Sequence, residues 1–391
     1  MRRPPIQQDL IKSDLWQERS DFLNSRFHQV TFGIKRHPDT MGLRPHRSLA
    51  SSTNRAKPPV GAARLELSLE LEFPYSLDIL GPPEDRLMPS LETITETLDA
   101  FFKIRQLERD PAFSRFVPYV YNPIGFDWQG FFESDFVTRF NGLMIRGAPE
   151  VSSVYCVAFP HEDILKVFLD RGTPGDLLFT HHPIDMRCGD PRGKWAEGFR
   201  AIDPSLLAQI KSRQLSVYSC HAPLDYNREI STSLSMAKAL GGLVKGECFP
   251  YGNGFAGVIC SVPSISASDF AEKLKQIFGV PYLDHEGQLP ESISKIALVA
   301  GGGDSVAEMQ SAENAGTQAY LTGEIHSHID TDTGRKKYAE MKSYAARTKM
   351  ALWGVSHAAS EFLVMQQDMA PWFKTRFSVK AHALPEAIWW R

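Results

Sequence analysis

From residue 152 onward, short apolar runs alternate with segments whose apolar positions recur every three or four residues. Runs of the first kind read as buried strands and segments of the second kind as amphipathic helices. The pattern predicts strands over 153–159, 176–180 and 216–220, separated by helices over 162–169 and 204–212. A second series follows, with strands over 255–262, 295–300, 318–321 and 350–353 and helices over 231–240, 268–278, 304–315, 336–346 and 358–368. Strands alternating with helices make βα units, so the fold class is α/β with largely parallel sheets. Ligands in such sheets gather at the carboxyl ends of the strands. Ahead of this region, Ser90 is placed to cap a helix opening at Leu91, which makes Met88 a candidate natural start.

The chain divides into an extension over 1–87, a first α/β domain over 88–240 and a second over 241–391. Residues 1–64 hold 12 Lys/Arg against 5 Asp/Glu, leaving 31 against 41 for the rest. With its basic, proline-broken composition the extension is expected to be a poorly ordered arm; a transit peptide is the alternative, against which Asp9, Asp14, Glu18 and Asp21 break the acid-poor pattern such peptides have. Its run 65–71, alternating leucine with polar residues, is the one part with a strand pattern. The acidic body makes nucleic-acid binding an unexpected role. No apolar stretch approaches membrane-span length, and the five cysteines are widely spaced without a Cys-x-x-Cys, as buried thiols of a cytoplasmic protein would be.

The chemistry lies at strand ends. His181 and His182 directly follow the run 177–179 and precede Pro183, which fixes the turn so that adjacent imidazoles can reach different ions. His357 follows a strand through Gly354, and Glu361 lies four residues on, on the same helical face. After the strand 216–220 comes His221-Ala222-Pro223-Leu224-Asp225, in which Asp225 is a candidate ligand and His221 orients a ligand or contacts substrate. Thr322 and Glu324 follow another strand and are candidates to position substrate or water. His326 and His328 either contact a substrate phosphate or sit in a solvated loop. The run Gly301-Gly302-Gly303 is read as a tight turn with Asp304 capping the next helix. This donor set combines imidazole and carboxylate without thiolate, the chemistry of a hydrolytic metal centre accepting Zn, Mn, Fe or Ni.

Taken in order, Thr180-His181-His182-Pro183, His221 to Asp225, Ala300 to Gly303, Thr322-Gly323-Glu324-Ile325 and Ser356 to Glu361 resemble the motifs of the NIF-three-like family of dinuclear metal-centre proteins, also labelled GTP cyclohydrolase I type 2. The turn beginning Asn141-Gly142-Leu143 resembles another of its motifs. The resemblance implies two related, intertwined three-layer α/β/α domains and two divalent metal ions held by His181, His182, Asp225, His357 and Glu361. Glu361 would bridge them, with Glu361 and Glu324 the catalytic candidates. It further implies a homohexameric ring and hydrolysis of a nucleotide-like, phosphorylated or purine substrate. The alternative is a ring-shaped regulatory or metal-handling protein with a structural metal centre. The interval 225–301 is too short for an inserted domain beyond a βα pair, and the aromatic-rich stretch 111–135 has no counterpart in the motifs.

Overall fold

The computed structural model describes residues 88–391; the basic arm and the run 65–71 lie outside the described residues. In chain order the strands are β1 (Gly142–Ile145), β2 (Ser153–Val157), β3 (Leu177–Thr180), β4 (Asp185–Arg187), β5 (Gly198–Arg200), β6 (Ser216–Ser219), β7 (Leu243–Tyr251), β8 (Gly254–Ser266), β9 (Asp284–Gly287), β10 (Ser292–Val299), β11 (Ala319–Thr322), β12 (Ala351–Gly354) and β13 (Lys380–Ala383). Five of them form one sheet in the order β1-β6-β3-β2-β13, six another in the order β7-β8-β10-β11-β12-β9, and β4 pairs with β5.

Both large sheets are buried on two faces, which is why their central strands read as continuous apolar runs. Along β2, Val154 and Cys156 enter one core while Tyr155 and Val157 enter the other. The first core is covered by helices Leu91–Phe101 and Ala370–Phe377; the second by helices Phe113–Tyr121, Glu162–Arg171 and Pro204–Ser212. In the second sheet, Ile296 and Leu298 of β10 face helices Thr232–Leu240 and Ala267–Phe278, and Ala297 and Val299 face helices Val306–Asn314 and Asp332–Ala345. Helix His357–Val364 serves both sheets: Ala358 and Phe362 pack on the first, Ala359 and Leu363 on the second. The chain then returns, and β13 joins β2 in the first sheet. These are two α/β/α layers, intertwined by one helix and one strand.

Sheet direction departs from expectation. The first sheet is parallel apart from β1 on β6, but in the second only β10–β11 and β11–β12 are parallel. The interval after Asp225 holds a β7–β8 hairpin and strand β9, more than a βα pair. Strand β7 mixes Lys245, Glu247 and Pro250 with apolar residues and is largely exposed at a sheet edge, so it carries no burial signal. Ser90 caps its helix as expected, its side chain accepting from Thr93 N at 3.0 Å. Asp304 does not cap the next one. Ser305 does, while Asp304 pairs with Lys337 at 2.6 Å. The stretch 111–135 becomes helices whose Phe113, Val117, Tyr121 and Trp128 form the outer wall of the first layer.

Candidate metal centre

The paired histidines are held by backbone and side chain alike. Their amides extend the β2–β3 ladder, His181 N donating to Val157 O at 3.1 Å and His182 N to Ala158 O at 3.0 Å. Thr180 Oγ1 donates to His182 O at 2.7 Å, closing the turn before Pro183. His181 Nδ1 lies 2.9 Å from Cys220 O, which fixes Nδ1 as a donor to that carbonyl and turns Nε2 towards the carboxylates. That Nε2 is 3.4 Å from Asp225 Oδ1 and 3.5 Å from Glu361 Oε1. His182 Nε2 is 3.0 Å from Glu361 Oε2, and the ring rests against Phe159 at a centroid distance of 4.1 Å.

Glu361 is the hub. Besides its contacts with the paired histidines, Oε1 is 3.0 Å from His357 Nε2, one turn back on the same helix. Helix His357–Val364 begins at Ser356, whose φ of 76° is unusual for a residue with a side chain and marks a locally strained entry. Gly301 follows β10 with φ 69°; a Cβ there would stand 2.3 Å from Glu361 Oε1 and 2.9 Å from His357 Nε2. The glycine run therefore permits close approach of backbone to the centre, a stronger constraint than a tight turn. Thr322 locks this loop: its hydroxyl donates to Gly301 O at 3.1 Å and accepts from Gly303 N at 3.0 Å. Its polar atom is thereby engaged within the loop.

On the opposite side, Asp225 Oδ1 accepts from Thr232 Oγ1 at 2.9 Å and Oδ2 lies 4.0 Å from His221 Nε2. His221 is oriented by a residue the sequence reasoning missed, Asp110, whose Oδ2 is 2.9 Å from His221 Nδ1. Asp110 Oδ1 also accepts from Ala112 N and Phe113 N at 2.9 and 2.8 Å, tying the aromatic helix to the centre. Asn141 completes the link, accepting from His221 N at 2.7 Å. The only sequence signal for Asp110 is Asp-Pro ahead of a helix, which marks a cap and nothing more.

Glu324 is buried, with Oε2 3.4 Å from His357 Nδ1 and 3.0 Å from Ser327 Oγ. Cys188 Sγ lies 3.5 Å from the same Nδ1, so a thiol does adjoin the cluster, contrary to a donor set of imidazole and carboxylate alone. Strand β4, which it directly follows, brings it there, 169 residues from His357 in sequence. His326 and His328 are buried, not solvated. His326 Nε2 pairs with Glu286 at 2.8 Å, and both rings pack on Tyr338 in a group apart from the hub.

The electrostatics follow from burial and crowding. Burial opposes ionisation of Glu361, yet His357, His182 and His181 hold it well below the usual carboxylate range. Burial also opposes protonation of His181, but Glu361 and Asp225 raise it to about 9. For His182 burial wins and its pKa falls well below the ordinary value. His181 Nε2, both ring nitrogens of His182 and Glu361 Oε2 are buried without a well-formed hydrogen bond, although His182 Nε2 and Glu361 Oε2 lie 3.0 Å apart. Buried ligand atoms left unpaired in this way are what a cation would satisfy. The ligating atoms of His181, His182 and His221, and of His182, His357 and Glu361, lie within 4.8 Å of one another. A cavity of about 160 Å³ opens onto His182, His221, Asp225, His357 and Glu361, walled elsewhere by aromatic rings including Phe113.

Comparison with known proteins agrees with this architecture. The chain is 26% identical over 197 residues to a GTP cyclohydrolase 1 type 2 homolog of Buchnera aphidicola subsp. Schizaphis graminum, covering 50% of this chain and 74% of that one. It is 25% identical over 232 residues to the protein of the same description from Escherichia coli K12, covering 59% and 86%. Among solved structures, protein ybgI, titled as of unknown function, shares the fold with a TM-score of 0.54 at 16% identity, covering 77% of this chain and 99% of the other. A Thermus thermophilus protein does so with a TM-score of 0.50 at 18% identity, covering 76% and 99%. Residues 138–385 match the Duf34/NIF3 (NGG1p interacting factor 3) description, and the chain belongs to that family.

Proposed function

We propose that this protein is a dinuclear metal-dependent hydrolase acting on a small nucleotide-like, phosphorylated or purine substrate. One observation carries the reading: a single buried carboxylate, Glu361, within 3.0–3.5 Å of three imidazole Nε2 atoms, beside an open cavity. His181 and Asp225 would hold one divalent ion and His182 and His357 the other, with Glu361 common to both. Bound divalent ions supply Lewis acidity and a hydroxide nucleophile near neutral pH. The chain's own residues do the rest. Cys220 O and Asp110 fix the rings of His181 and His221, Thr322 holds the glycine loop against Glu361, and Phe113 narrows the cavity over the cluster. The relatives' name, GTP cyclohydrolase 1 type 2 homolog, supports a purine nucleotide as substrate. A homohexamer in the cytoplasm belongs to the same proposal; the described cysteines are all free thiols, as a reducing compartment requires. Among the described residues, no helix is long and apolar enough to cross a membrane.

The test is hydrolysis by protein loaded with Zn, Mn, Fe or Ni, screened against nucleotides and phosphodiesters, with His181→Ala as control. Turnover that needs metal and is lost in the variant supports the reading. Full metal occupancy without turnover of any substrate favours a structural centre in a regulatory or metal-handling ring.

A further inference from the structure

His357 has two ring nitrogens, and the dinuclear centre uses one. Its Nε2 faces Glu361, while Nδ1 faces Cys188 Sγ at 3.5 Å and Glu324 Oε2 at 3.4 Å. The simplest account is an Nδ1–H donating to Glu324. A charge-assisted N–H···O bond, however, spans about 2.7–2.9 Å, and this one is half an ångström longer. The lengths match something else. With zinc bonds of about 2.3 Å to sulfur and about 2.0–2.1 Å to nitrogen and oxygen, the edges of a tetrahedron are about 3.5 Å for S···N and about 3.3 Å for N···O.

Two further observations point to a ligand. A second small cavity, about 10 Å³, is lined by Cys188, Glu324, His357 and Glu386, which is room for one water or one ion. Glu386 is buried and neither carboxylate oxygen makes a well-formed hydrogen bond, although Oε2 lies 3.0 Å from His161 Nε2 as an ion pair. The candidate donors Cys188, Glu324 and His357 are all buried, and their ligating atoms lie within 4.8 Å of one another.

We propose that Cys188, Glu324 and His357 Nδ1 form a third metal site, selective for a zinc-type ion and joined to the dinuclear centre through the His357 ring. The mixture of one thiolate, one imidazole and one carboxylate favours zinc over magnesium, calcium or manganese. Binding replaces the protons on Sγ and Nδ1, both released to solvent, and leaves the His357 ring bridging the third ion and the pair. The proposal adds an ion to the centre and does not depend on hydrolase activity.

Cobalt(II) serves as a visible stand-in for zinc, because only a thiolate ligand gives an intense sulfur-to-cobalt charge-transfer band in the near ultraviolet. Metal-free full-length protein, kept reduced, is titrated with cobalt(II) while the band and bound metal are followed. The expected result is a band that saturates with one ion, a total of three ions bound, and loss of both the band and one ion in Cys188→Ser. His182→Ala should lose metal but keep the band. The proposal is overturned if the wild-type protein binds cobalt without a thiolate band, or if the band survives in Cys188→Ser. The two readings fail separately: two ions without a band refute the third site alone, and one thiolate-bound ion as the total refutes the dinuclear centre alone.

Discussion

Replacing Gly301 with alanine should damage the proposed metal centre far more than the fold. The position has φ 69°, where a side chain costs about 1–2 kcal/mol. For a domain of this size that lowers the melting temperature of metal-free protein by only a few degrees. The new methyl carbon would stand 2.3 Å from Glu361 Oε1, where ordinary contact begins near 3.4 Å, so the carboxylate must retreat by about 1 Å. Since Oε1 is the far end of a flexible side chain, the fold accommodates the movement cheaply. A metal–oxygen bond of about 2.0–2.2 Å does not survive it, and His357 Nε2, 2.9 Å from the same methyl, is crowded too. Loss of a residue that merely orients a ligand costs about 10–100-fold in affinity; displacing the shared ligand should cost at least about 100-fold for both ions. Metal content after equilibration in buffered zinc or manganese, with calorimetry of the metal-free protein, measures the two effects on one preparation. Binding of two ions with unchanged affinity would refute the claim that Glu361 bridges them beneath the glycine loop.

Asp225→Ala should lose at least one ion without unfolding, because four apolar clusters and not the ions hold the described fold; metal analysis and thermal melting on the same sample decide it. Asp110→Ala should cost about 3–5 kcal/mol in chemical denaturation, since it strands the buried donors of Phe113, Asn141 and His221 around a removed charge. His161, buried between Asp185 and Glu386 with Arg391 3.9 Å from the latter, gives a pH signature. Burial opposes its protonation, but the two carboxylates raise its pKa to about 9 from the ordinary 6.5. The protonated ring therefore stabilises the fold fully below about pH 6.5. That contribution, on the order of 3 kcal/mol, fades as pH climbs through about 9. Unfolding free energies across that window should lose this slope in His161→Gln, and an unchanged slope would contradict the assignment.

Local pattern alone placed most of the strands and helices from 153 to 364 and put the histidines and carboxylates at strand ends, because burial periodicity and turn residues are short-range signals. Strand β3 ending in His181-His182-Pro183 and the one-turn spacing of His357 and Glu361 are legible without any partner in view. What brings Glu361 to His181 across 180 positions is strand order and the helix shared by the two sheets, and no window of sequence contains that. The same limit hid β7 and β13, whose edge positions leave many of their residues exposed, and Asp110, which looks like an ordinary cap until Asn141 and His221 close around it. Cys188 read as one of several buried thiols because nothing beside it in sequence suggests a ligand; only the path of the chain through β4 sets it against His357. The sequence determined which groups stand at the strand ends, and the tertiary structure decided which of them meet, since a ligand set depends on distances that only packing fixes.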